Sequence, residues 1–111
     1  MEITLNSINE KVAEITLYEV SELRKKDGLS FSDMDKKDQI DRATNYNRME
    51  LMVIDDLVNK KGSITIENNL SNCSKFFQYA IAELLGVSAE LRHKPKSRSD
   101  ALKLAINEYY K

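Results

Sequence analysis

The sequence predicts a mainly α-helical fold, an irregular four-helix bundle carrying one small two-stranded β ribbon, formed as a single domain over residues 1–111. Three observations predict it. Apolar residues recur at helical spacing over most of the chain. Ser-x-x-acid pairs of the kind that cap helix starts precede two of these runs. Two short segments alternate apolar with polar residues, as half-buried strands do.

In order along the chain, Ile3 and Leu5 alternate with Glu2 and Thr4, which suggests a first strand. Ser7-Ile8-Asn9-Glu10 has capping-box spacing, so a first helix is expected over residues 7–26. Ile8, Val12, Ile15, Leu17, Val20 and Leu23 build its apolar face, and Lys25-Lys26-Asp27-Gly28 supplies the cations and glycine of a helix end. Ser32-Asp33-Met34-Asp35 caps a second, long helix that runs to the Lys60-Lys61-Gly62 stop. Its first half, residues 34–48, carries few apolar side chains and should be half exposed; residues 49–58 should lie in the core.

Ser63-Ile64-Thr65-Ile66-Glu67 alternates strictly and reads as the second strand, able to pair with the first. Ser71 or Asn72 then caps a third helix, which Phe76, Phe77, Ala80, Ile81, Leu84 and Leu85 make the most apolar, and Gly86 closes it. Residues 87–95 suit either a short helical turn or a loop, and Pro95 biases Lys94 away from helix. The fourth helix is expected from Ser97 or Ser99, with Ala101, Leu102, Ala105, Ile106 and Tyr109 on one face.

With 41% apolar and 32% charged residues in 111, the chain is too apolar for a disordered segment and too interrupted by charge for a membrane span. No window approaches 18 uncharged apolar residues, and Met1-Glu2-Ile3-Thr4 lacks the basic and apolar runs of an export signal, so a cytoplasmic protein is expected. The single cysteine, Cys73, precludes an internal disulfide and stands near Phe76 and Phe77 as core filler. A net charge of −1 creates no global attraction to nucleic acid.

Chemistry has few footholds. The one histidine, His93, stands among Arg92, Lys94 and Lys96, whose charges oppose a bound cation. Asp33-x-Asp35 opens like a calcium loop, but the sixth position is Asp38 where glycine belongs and the twelfth is Thr44 where glutamate belongs. The glycines at 28, 62 and 86 are isolated, so no phosphate-cradling loop exists. The expectation is a non-enzyme with no catalytic residues, no cofactor and no metal.

Arg92-His93-Lys94-Pro95-Lys96-Ser97-Arg98-Ser99 stands apart, with four fixed positive charges and no acid. Arg92, Lys94, Lys96 and Arg98 can neutralise phosphates, Ser97 and Ser99 can donate to them, and a helix N-terminus favours anions. One reading is a binding edge for nucleic acid or a phosphorylated ligand. The other is a solvated loop whose cations pair with the acids of residues 33–41. An alternative in a different class is a small inhibitor or adaptor of the phage or plasmid type, docking on a cellular protein through an acidic helix face of Asp35, Asp38 and Asp41. The apolar density of residues 49–58 and 76–85 also leaves room for a homodimer.

The 14 residues from Ser97-Arg98-Ser99-Asp100 to Tyr109-Tyr110 resemble the second helix of ribbon-helix-helix DNA-binding proteins. That resemblance implies a strand at residues 63–67, paired in a dimer and inserted in the major groove. Two departures accompany it: the connection over residues 86–96 is longer than the family's turn, and Glu67 would share a strand face with Thr65, aimed at phosphate. The fold expectation does not rest on it.

Overall fold

Capped by Thr4, the first helix starts two residues earlier than its sequence suggests. In the computed structural model, which describes residues 2–62 and 64–111, α1 spans Leu5–Lys26. The capping box is Thr4 with Ser7: each backbone N–H donates to the other's hydroxyl, at 2.9 and 3.1 Å. Ile3 precedes the cap and Ile8 follows at the fourth helical position, the spacing of a hydrophobic staple; both are buried in the core.

The long second helix is two helices, α2 (Asp33–Ala43) and α3 (Arg48–Asn59). Asn47 caps α3 in a reciprocal box with Glu50, a signal that Asn47-x-x-Glu50 carries in the sequence. The link is anchored by Tyr46, whose ring meets Phe77 edge-on at 5.5 Å and whose hydroxyl donates to Asn9. α3 ends at Lys60, which adopts the left-handed conformation at φ 49°.

The predicted ribbon does not form. Among the described residues there is no strand. Thr4 is the extended residue ahead of α1, Ile3 has no regular structure and Leu5 is already helical; at the other site Ser63 lies outside the described residues, and the chain from Ile64 onward is helical, α4 spanning Ile64–Asn69. The reason is physical. Ile66 and Leu70, four apart, are both buried, and α4 and the 3₁₀ turn after it (Leu70–Asn72) pack on α3. A helix satisfies backbone groups within the segment, whereas a strand without a partner leaves them unpaired. The ribbon-helix-helix resemblance loses its ribbon here.

The most apolar helix, α5 (Lys75–Leu84), starts from Ser74 rather than Ser71 or Asn72. Gly86, at φ 103°, turns the chain out of it. A 3₁₀ turn at Ala89–Leu91 follows, and α6 (Pro95–Tyr109) begins two residues before Ser97 because Pro95 is pre-set for the first helical position. α1 packs chiefly on α5 and α2, α5 and α3 close the core, and α6 lies across one end through Leu102, Ile106 and Tyr109. The bundle is elongated, 45 × 26 × 24 Å, as a helix of 22 residues, roughly 33 Å long, requires.

Candidate functional site

The fold divides the basic segment into two partly buried cations, Arg92 and Arg98, and two exposed ones, Lys94 and Lys96. Arg92 points inward from the turn between α5 and α6. Its Nε and Nη2 donate to the two carboxylate oxygens of Glu83 at 3.0 Å each, and its Nη1 lies 3.4 Å from Glu19 Oε1. The Arg92 and Glu83 side chains are each only 13% exposed and that of Glu19 10%, so a desolvated carboxylate–guanidinium–carboxylate cluster ties α1, α5 and the approach to α6 together. Tyr18 covers the guanidinium at 5.4 Å. His93 Nε2, on the rim, sits 3.0 Å from the same Glu19 oxygen.

Arg98 is withdrawn as well. Its Nη1 donates to the Arg92 carbonyl, and its guanidinium lies 4.9 Å from the centre of the buried Tyr79 ring. These contacts hold the first turn of α6 against α5.

Lys94, Lys96, Ser97 and Ser99 remain exposed, and among the described residues neither lysine has an ion-pair partner. They surround a helix start with distinctive electrostatics. No side chain caps α6, no acid stands in its first turn, and the first intrahelical bond runs from the Arg98 N–H to the Lys94 carbonyl. The backbone N–H groups of Lys96 and Ser97 are therefore the free donors of the N-terminus, since Pro95 has none.

The acids of residues 33–41 do not pair with this segment; Glu19 and Glu83 neutralise Arg92, and Lys94 and Lys96 keep their charge. Asp35 instead pairs with Arg24 at 3.2 Å, Asp41 with Lys37 at 2.9 Å and Asp33 with Lys36 at 3.8 Å. Hydrogen bonding from Ser32, and then the charge of Arg24, hold the Asp35 carboxyl below its ordinary value. Asp38 keeps no ion pair among the described residues, and it shares a stripe of α2 with Asp41 and with Met34, which is 76% exposed.

Glu50 is a site residue that the sequence expectations do not include. Its carboxylate, 3% exposed as a residue, accepts from the Asn47 N–H at 2.9 Å, the Ser74 N–H at 2.9 Å and the Ser74 hydroxyl at 2.6 Å. One buried anion thus sits at the starts of both α3 and α5, where the helix dipoles favour it. Glu19 is another, although it continues the apolar stripe of Ile8, Val12 and Ile15, where a charge needs a partner.

Among the described residues, no three His, Cys, Asp or Glu side chains gather to hold a metal, and no helix is long and apolar enough to cross a membrane. Comparison with protein-family models, curated proteins and solved structures returns no match.

Proposed function

We propose that this chain is a small non-enzymatic binding protein of the cytoplasm that takes a phosphate-bearing ligand at the start of α6. The observation that carries the reading is that Lys94, Lys96, Ser97 and Ser99 are all exposed around an uncapped helix N-terminus whose first N–H groups are unused. Ammonium groups, hydroxyls and free backbone donors on one edge are the complement of a phosphate. Arg92 and Arg98 serve the reading indirectly, by fixing that edge on α5.

The edge is small, which favours a terminal phosphate or a short stretch of backbone over an extended duplex. The test is an NMR titration of the full chain with inorganic phosphate and, separately, with a short single-stranded DNA. Shifts confined to the Lys96 and Ser97 amides and their neighbours, abolished in Lys94→Ala/Lys96→Ala, support it, and the two arms separate a free phosphate from a nucleic-acid backbone. Unchanged amides in both arms, or full binding by the double variant, would refute it.

A protein partner is the second reading, favoured by the stripe of Met34, Asp38 and Asp41 at positions i, i+4 and i+7 of α2, where an exposed apolar side chain neighbours carboxylates. Co-purification of a stoichiometric partner that is lost on Asp38→Lys/Asp41→Lys supports that surface; recovery unaffected by the reversal removes it.

A further inference from the structure

A cavity of about 330 Å³ opens between α1, the α2–α3 link and the start of α5. Thr16, Arg42, Asn47, Glu50, Ser74 and Phe76 are among the residues that line it. Its electrostatics are bipolar. The Glu50 carboxylate is buried at its base, while Arg42 stands exposed at its mouth with no ion pair among the described residues, and the two charges do not pair with each other. Three donors already engage Glu50, leaving room in its lone-pair sites for one more. The base carries a second, independent feature. Thr16 is 1% exposed, and its hydroxyl oxygen has no hydrogen-bond partner among the described residues.

A buried polar group without a partner is uncommon and calls for an explanation. An anionic base, an orphan hydroxyl and a cationic mouth match a small zwitterion that carries both an ammonium group and a carboxylate. We infer that this cavity binds a free α-amino acid, with its ammonium group toward Glu50 and Thr16, its carboxylate toward Arg42, and its side chain along Phe76. The volume falls at the lower end of the range for ligand cavities, in keeping with a small ligand. The site lies apart from the α6 edge, so its test stands independently of the proposal made there.

The experiment is a thermal-shift and calorimetric screen of the full chain against the individual L-amino acids, with acetate and methylammonium as half-ligands. The expected result is a saturable rise in Tm with one or a few amino acids at millimolar concentration, and binding at least about tenfold weaker for each half-ligand. Arg42→Met, a change at an exposed position, should weaken binding by about tenfold or more without altering the Tm of the free protein, and Thr16→Val should weaken it several-fold. Absence of any response, equal binding of acetate or methylammonium, or affinity unchanged in both variants would overturn the proposal. So would a Thr16→Val chain that is more stable than the parent while the parent answers to no amino acid, since the hydroxyl would then be only an unpaired group.

Discussion

Glu50 and Ser74, 24 residues apart, form a two-point contact in which one carboxylate oxygen of Glu50 receives both the backbone N–H and the hydroxyl of Ser74. Because the other oxygen caps α3 through the Asn47 N–H, this side chain joins the starts of two core helices. Glu50→Ala should destabilise the fold by about 2–3 kcal/mol, as expected when a charged group that answers several buried donors is removed. Ser74→Ala, which keeps the backbone donor, should cost about 1 kcal/mol. Urea unfolding of both variants checks the order; equal and negligible losses would show that the carboxylate does not hold the two helices.

Arg92 is expected to behave as a structural residue. Removing it leaves Glu19 and Glu83 facing each other in a largely desolvated site, which should cost about 3–5 kcal/mol for Arg92→Ala. Lys96→Ala, at an exposed position without an ion pair, should stay within about 0.5 kcal/mol of the parent. Denaturation midpoints of the two single variants, measured side by side, decide whether the fold divides the basic segment as described.

Alkaline pH should destabilise the protein in a defined window. Burial, and then the charge of Glu50, push the Cys73 thiol from 9.0 up to about 12 and the Tyr46 hydroxyl from 10.0 up to about 12; burial, and then Asp56, do the same for Tyr110. All three groups are held neutral in the folded state above their unfolded values. Their contribution is therefore fully present below pH 9 and is lost as the pH rises from there toward 12. Tm recorded between pH 8 and 11.5 should fall progressively, and in Cys73→Ala the onset should move about one unit higher, to the range where tyrosine titrates. A flat profile through this range contradicts the burial of these groups. The same burial predicts that native Cys73 resists alkylation at pH 8 and reacts only on unfolding.

Lys60 holds a left-handed conformation at the end of α3 that glycine adopts without steric cost. Lys60→Gly should leave stability unchanged or raise it by up to about 1 kcal/mol, the cation–π contact of Lys60 with Tyr109 at 4.8 Å offsetting part of the gain. A loss above about 1 kcal/mol would assign that contact more weight than an exposed pair normally carries.

Much of this fold was legible because Ile8, Val12 and Ile15, or Phe77, Ala80 and Ile81, can be buried together only on a helix. The end of α1 at Lys26 and the exit of α5 at Gly86 were visible for the same reason, as helix ends carry their own chemistry. The ribbon failed because alternation over Ile64 and Ile66 is too short to tell a strand from one helical turn, and only the burial of Ile66 with Leu70 against α3 decides it. The break before α3 was encoded in Asn47-x-x-Glu50 but masked by good helix formers on both sides. The inward turn of Arg92 and Arg98 was hidden because a run of charges ordinarily faces water; the clue lay 73 residues away, in Glu19 on the apolar stripe of α1.

The salt dependence of binding to a short single-stranded oligonucleotide tests most directly whether Lys94 and Lys96 alone supply the phosphate-binding charge of α6. Two lysines predict a slope of log K against log salt near about −1.4, and loss of all binding in Lys94→Ala/Lys96→Ala. A slope near about −2.8, as four engaged cations would give, would show that Arg92 and Arg98 are not held inside the fold, and the account would fail.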